Sequence, residues 1–348
     1  MITRILLPVF TLLLTVSQVS YSQNQFQVAF EQQGRRSVTQ LKINFDDTLG
    51  NQTYLPISII KGAKNGPVFT IVAGVHGFEY PPIVAVQQLL NEIKPGALAG
   101  TLVIIPIANL PSFFGRSPYK NPDDQLNLNR IFPGKHNGMV TEQIASYITN
   151  YIIPVSDVFL DIHGGDAPED LLPFVCYYNN TKKGEQTRKA AALAEVSGFD
   201  YVVKYPYSLK SDQPAKYAFK QAVQDGKVAL SIESGKLGNV QQEAVDAVRD
   251  GVLNMLAYMK MYEVSGKTVK KFRQLNNQFY LRSDQKGILY SNIKSGDEVK
   301  KGDSAGYITD EFGKVISRLI IPASGIVLYK IGTPPVNEGE TIMCIGSE

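Results

Sequence analysis

Four short apolar runs, each closed by glycine or asparagine, constrain the fold of this chain more than any other feature. They are PVFTIVAG (Pro67–Gly74), GTLVIIPIAN (Gly100–Asn109), SDVFLDIHGG (Ser156–Gly165) and GKVALSIESG (Gly226–Gly235). A continuous apolar run of this length, without polar alternation, reads as a strand buried on both faces. Helix-periodic stretches lie around them, over Pro82–Ile93, Met139–Ile153, Lys182–Ser197 and Asn239–Tyr262. Strands alternating with helices predict an α/β fold, a mixed, largely parallel sheet flanked by helices.

Beyond residue 265 the texture changes. Residues 266–274 read as a basic linker, and residues 275–348 as a small all-β barrel or sandwich with Gly-rich turns and no helix pattern. Two half-repeats align there, VKKGDSAGYI (Val299–Ile308) and VNEGETIMCI (Val336–Ile345), both V-x2-G-x5-I. This segment resembles biotinyl and lipoyl carrier domains, but the candidate Lys314 in EFGKV lacks the flanking methionine, and a structural cover for the larger domain is expected instead. At the other end, residues 1–22 have the order of an export signal: Arg4, an apolar stretch over Ile5–Val16, then small Ser20 and Ser22. Cleavage before Gln23 would leave the larger α/β domain over 23–265, exported to the periplasm or outside the cell, with no stable membrane span.

The net charge of +3 and the lack of a basic block argue against nucleic acid as a partner. Two cysteines, Cys176 and Cys344, rule out a cysteine-built zinc site and are expected as buried thiols. Of the three histidines, His76 and His163 directly follow predicted strands and precede glycine. In open α/β sheets the crevice at the carboxyl ends of strands is where sites are built. Glu79 follows His76 by three residues, just before Pro81 and Pro82, which suit a first helical turn. Two histidines and a glutamate leave a zinc ion one open position, the composition of a catalytic site. The competing reading is a capped helix start beside a core histidine. A shared ion requires the two imidazoles to come within about 5 Å of one another. A third strand ends in Glu233, placed to move protons, and Asp161 shares a strand face with His163. The loop GRSPYKNPDDQLNLNRIFPG (Gly115–Gly134) carries Arg116, Asn129 and Arg130, and an arginine fork suits a carboxylate.

HGFE, NLNRIFPG, DIHGG and SIESG, in that order, resemble the succinylglutamate desuccinylase/aspartoacylase family, itself similar to the zinc carboxypeptidases. The resemblance implies one zinc per chain held by His76, Glu79 and His163, with Glu233 as general base and acid. It implies Arg116 as the group polarising the substrate carbonyl, and Asn129 with Arg130 as the binders of the substrate carboxylate. One position departs from the pattern: the family usually reads D-L-N-R, and Asn127 stands here in place of that aspartate, which bears on the orientation of Arg130 and on the substrate. The expected activity is hydrolysis of an amide bond in a small carboxylate-bearing substrate, an N-acyl amino acid. The alternatives are a metallocarboxypeptidase acting on short or cell-wall peptides, and a non-catalytic module that binds carboxylates. The sequence leaves the acyl group and the oligomeric state open.

Overall fold

The computed structural model describes residues 19–264 and 271–348, with side chains from residue 25 onward. Most of the expected export signal and residues 266–270 of the expected linker lie outside the described residues. The larger unit runs α1 (Val19–Gln32), β1 (Ser37–Asp46), β2 (Gln52–Lys61), β3 (Lys64–Ala73), α2 (Tyr80–Glu92), β4 (Ala99–Ile105), α3 (Leu110–Gly115) and α4 (Val140–Tyr147). It continues through β5 (Val158–His163), β6 (Glu169–Leu171), β7 (Phe174–Asn179), α5 (Gly184–Val196), β8 (Tyr201–Pro206), α6 (Ala218–Gln224), β9 (Val228–Glu233), α7 (Gln242–Tyr258) and β10 (Arg273–Leu275).

Nine strands form one mixed sheet in the order β1-β2-β4-β3-β5-β9-β7-β8-β10. The four apolar runs become β4, β3, β5 and β9, adjacent and mutually parallel at its centre. Period-two geometry splits each run between two apolar layers. Phe69, Ile71, Leu160, Ile162, Leu230 and Ile232 pack under α2, α5 and α7. Val72, Val103, Ile105, Phe159 and Ala229 face the opposite layer, built partly from α4 and α6. Because both faces are covered, no polar alternation survives in these strands, and this is why the sequence showed them as unbroken apolar runs.

The predicted helices are present with shifted ends. The pattern over Met139–Ile153 becomes α4 followed by one π-helical turn, in which the Ile153 N–H donates to Ile148 O at 2.9 Å. The antiparallel β1–β2 hairpin gave no strong signal. In β1 exposed and partly covered residues alternate, and only Ile43 and Phe45 are buried.

The C-terminal unit comprises β11 (Asn277–Arg282), β12 (Gly287–Tyr290), β13 (Glu298–Val299), β14 (Ser304–Thr309), β15 (Val315–Ile320), β16 (Gly325–Ile331), β17 (Pro335–Val336) and β18 (Thr341–Ser347). They form two antiparallel sheets, ordered β11-β18-β16-β13 and β15-β14-β12-β17. The aligned half-repeats are real structural repeats: β13 leads into β14, and β17 into β18. Gly302 and Gly339 turn the chain at φ +93° and +78°, a region that favours glycine. Val299 and Val336, Ile308 and Ile345 are buried at equivalent places.

Two exchanges stitch the units together. β10 pairs in parallel with β8 and so extends the large sheet, while β6 pairs with β16 of the C-terminal unit. The boundary expected near residue 275 is therefore crossed by backbone hydrogen bonds in both directions. Cys176 and Cys344 are buried free thiols, and among the described residues no helix is long and apolar enough to cross a membrane.

Candidate metal centre

β3, β5 and β9 end side by side, and the loops that leave them deliver the candidate residues. His163 is the last residue of β5 and lies opposite Glu233 at the end of β9. His163 and Asp161 share a strand face with Phe159, and Glu233 shares one with Ala229 and Ser231, so all of them rise on the same side of the sheet. His76 and Glu79 come from the β3–α2 turn. Glycine is required at both turns by close approach. A Cβ on Gly77 would lie 2.4 Å from Ser112 O, and one on Gly164 2.4 Å from Ser234 O.

Glu79 stands at the N-cap of α2, with prolines in the first turn, but its side chain caps no helix amide. It turns into the crevice instead. Its Oε1 lies 2.7 Å from His76 Nδ1 and 3.0 Å from His163 Nδ1. All three side chains are buried, and their ligand atoms lie within 4.8 Å of one another. The ring centres are 5.6 Å apart, beyond the 5 Å expected for the imidazoles, but the nitrogens are the atoms that would bind an ion and they face inward.

Electrostatics bind the trio together. Burial works against an ionised Glu79, but the imidazoles of His163 and His76 outweigh it and hold the carboxyl well below the usual range. Burial likewise opposes a charged His163, and Asp161 and Glu79 overcome it, raising that imidazole well above its ordinary value. His76 is raised in the same way, burial being outweighed mainly by Glu79.

The chemistry of this donor set fits a divalent ion. Both rings turn Nδ1 toward the common centre and Nε2 outward. His76 Nε2 meets Asn127 Oδ1 at 3.2 Å, and His163 Nε2 approaches Asp161 Oδ2 at 3.1 Å. The second contact is an ion-pair approach without hydrogen-bond alignment, for His163 Nε2 and Asp161 Oδ1 have no such partner. An outer acceptor that fixes the tautomer is the usual companion of a metal-binding histidine. Asp161 also accepts the backbone N–H of Phe219 at 3.3 Å, which ties β5 to α6.

Glu233 lines the same crevice. Burial chiefly pushes its carboxyl up to about 8; Glu79, Glu169 and Asp161 add to this and His163 opposes it. A carboxyl so placed exchanges protons near neutral pH.

A cavity of about 270 Å³ opens over these groups, lined also by Tyr119, Asn129, Arg130, Glu169, Cys176, Tyr178, Tyr205 and Tyr217. Tyr280 and Tyr329 of the C-terminal unit complete its wall. Arg130 is exposed, stacks at 5.0 Å over the Tyr217 ring and donates to Asn129 O at 2.7 Å. Asn129 Oδ1 is buried without a partner. Arg116 is exposed at the C-cap of α3 with φ +47° and does not line the cavity. Tyr205, near the end of β8, lines the cavity, and Tyr207, just past that strand, packs edge-on to Tyr178. A larger hollow of about 660 Å³ in the C-terminal unit, around Tyr290, Tyr307 and Lys330, brings together no histidine or carboxylate.

Sequence reasoning missed Tyr119, Glu169, Tyr280 and Tyr329. Glu169 lies six residues after His163, close to a recognised strand end. The two C-terminal tyrosines had no local signal, because only the packing of one unit on the other brings them here.

Residues 65–259 match the sequence profile of the succinylglutamate desuccinylase/aspartoacylase catalytic domain. The chain is 29% identical over 327 residues to an N-alpha-acetyl-L-2,4-diaminobutyric acid deacetylase of Halomonas elongata, covering 91% of this chain and 93% of the relative. Among solved structures it resembles a succinylglutamate desuccinylase/aspartoacylase from Rhodobacter sphaeroides at 23% identity and TM-score 0.80, covering 90% of this chain and 96% of that one. The product-bound ectoine utilization protein EutE (DoeB) of Ruegeria pomeroyi is similar at 23% identity and TM-score 0.80, over 90% of this chain and 97% of that one.

Proposed function

Because the chain belongs to the succinylglutamate desuccinylase/aspartoacylase family, we propose that it is a zinc-dependent amidohydrolase that removes the acyl group from a small N-acyl amino acid. The observation that carries this reading is the convergence of His76 Nδ1, Glu79 Oε1 and His163 Nδ1 beside the half-buried Glu233. Similarity to a curated deacetylase over nearly the whole chain supports the same class of reaction.

One divalent ion would be held by those three atoms, and when bound it supplies a Lewis acid that acidifies water and polarises the amide carbonyl. The chain's own residues do the rest. Glu233 accepts the proton released as water attacks, and its raised carboxyl returns that proton to the departing nitrogen. Asn127 accepts from the outer edge of the His76 ring, and the Asp161 carboxylate stands 3.1 Å from that of His163. Arg130, at the cavity edge, offers a planar fork to the substrate carboxylate, and Asn129 stands beside it. Arg116, exposed and outside the cavity, is assigned no part in this mechanism.

The volume, just under the ~300–1,000 Å³ usual for ligand pockets, and the wall formed by Tyr280 and Tyr329 favour a small substrate over a peptide. We also place the protein outside the cytoplasm, on the strength of the signal pattern in residues 1–22; N-terminal sequencing of the exported protein would show Gln23 first. The reaction is tested with a panel of acylated amino acids and short peptides, with and without chelator, alongside metal analysis of the purified protein. Hydrolysis of acylated amino acids by protein carrying about one zinc per chain is expected. Turnover of peptides alone, or full activity in metal-free protein, would overturn the proposal.

A further inference from the structure

The hollow in the C-terminal unit is lined by a buried lysine whose ammonium is not held by the chain. Lys330, on β16, is only 7% exposed. Among the described residues none accepts a hydrogen bond from its Nζ. Asp170 stands opposite it in the ladder but gives its oxygens to Ser295 and Lys236. Asp297, the other carboxylate that acts on it, accepts the Lys294 N–H at 2.8 Å. A buried ammonium without an acceptor is costly. β16 also divides two spaces. Tyr329, beside Cys344 in the ladder, lines the cavity over the metal centre, whereas Lys330, beside Met343, lines the hollow.

The rest of the hollow suits a ring that carries hydroxyl groups. Tyr290 and Tyr307 face each other across β12 and β14, and their rings stack with centres 5.0 Å apart and planes 11° apart. They remain 46% and 37% exposed, an open aromatic platform. The C–H groups on the flat face of a sugar carry slight positive charge and suit the negative face of an aromatic ring. Asn292, Ser304 and Thr333, also on the lining, offer neutral donors and acceptors. Among the described residues no carboxylate lines the hollow, so none there opposes an anion at Lys330. The volume of about 660 Å³ lies within the ~300–1,000 Å³ usual for ligand pockets. An aromatic acid would use the tyrosines and the lysine alone; a sugar acid uses the hydroxyl and amide side chains as well.

We propose that the hollow is a second binding site, separate from the metal centre, for a sugar ring that carries a carboxylate. The ring packs against the Tyr290–Tyr307 pair, and the carboxylate meets the Lys330 ammonium. This goes beyond the deacylase reading and does not depend on it.

The chain contains no tryptophan, so Tyr307→Trp keeps an aromatic platform and places a single reporter in the hollow rather than at the metal centre. Its fluorescence is titrated with glucuronate, glucose and benzoate. Glucuronate should give a saturable change and bind on the order of 10–100-fold more tightly than glucose, the range set by a hydrogen bond to a charged group. Lys330→Met in the same background keeps an unbranched apolar stem and removes the ammonium; it should bring the two sugars close to equal affinity. Lys330→Arg should keep the preference. Each comparison is a ratio within one variant, so a fraction of misfolded protein does not alter it. No saturable response to glucuronate, equal binding of glucose in the Tyr307→Trp protein, or an undiminished preference in Lys330→Met would overturn the inference. Tighter binding of benzoate than of glucuronate would overturn it too, by showing a site for aromatic acids.

Discussion

Asn127 Oδ1 lies 3.2 Å from His76 Nε2 and 2.8 Å from the backbone nitrogen of Asn129. The second contact settles the first. A backbone N–H only donates, so the atom facing it is the amide oxygen, and His76 must carry its proton on Nε2. Nδ1, 2.7 Å from Glu79 Oε1, is thereby the nitrogen that would release its proton to take an ion. The amide at this position thus supplies the acceptor that the usual aspartate would supply, without its charge.

Asn127→Leu should weaken metal binding ~10–100-fold, the usual cost of removing an outer partner of a ligating histidine, while Asn127→Asp should stay close to the wild type. Competition with a chromogenic chelator reads both. Unchanged affinity in the leucine variant would show that Asn127 does not orient His76.

Glu233→Gln should retain its metal and lose hydrolysis by ~10²–10⁴-fold, the range for a general acid–base group. Turnover at the wild-type rate in that variant would remove Glu233 from the mechanism.

Stripping the metal should abolish activity and lower the melting temperature, with both recovered on adding zinc. Free ion at 100 times its Kd stabilises the folded state by about 2.7 kcal/mol if the unfolded chain does not bind it. The same melting temperature with and without zinc would contradict a built site.

Asp170 ties the two units together, accepting the N–H of Ser295 at 2.9 Å and its hydroxyl at 2.8 Å, with Lys236 at 3.4 Å and Lys330 opposite it in the ladder. Burial alone would raise its carboxyl, but the Ser295 donors and Lys236 offset this and hold it below its ordinary 3.8. A folded value below the unfolded one gives stability that is present above the unfolded value and lost as pH falls through the folded one. Asp170→Asn should therefore destabilise the protein by ~1–2 kcal/mol at neutral pH, with the difference vanishing at strongly acid pH. Denaturant melts at several pH values test this, and a difference that grew toward acid would refute it.

Gly164→Ala would set a methyl 2.4 Å from Ser234 O, between the strand ends carrying His163 and Glu233. The obstruction is the backbone of Ser234, which cannot yield without moving the strand end that carries Glu233, so a loss of at least ~1–3 kcal/mol, the cost of overpacking, should accompany weaker zinc binding. A variant with wild-type melting and metal affinity would show the turn to be more yielding than its geometry indicates.

The sequence by itself determined the centre of this protein. Strands covered on both faces must be apolar throughout, so Pro67–Gly74, Gly100–Asn109, Ser156–Gly165 and Gly226–Gly235 could be recognised without knowing their neighbours. Residues placed just past such strands had to gather at one edge of a parallel sheet, which is why His76, Glu79, His163 and Glu233 were legible together. The half-repeats around Gly302 and Gly339 were legible for a similar local reason, since each needs a turn between two buried apolar positions. Only the tertiary structure decided the rest of the cavity. It put Tyr280 and Tyr329 into the wall by pairing β6 with β16, turned Asn127 onto His76, and left Arg116 at the surface. None of these has a periodicity or a spacing to read, because each depends on where segments far apart in the chain come to rest against one another.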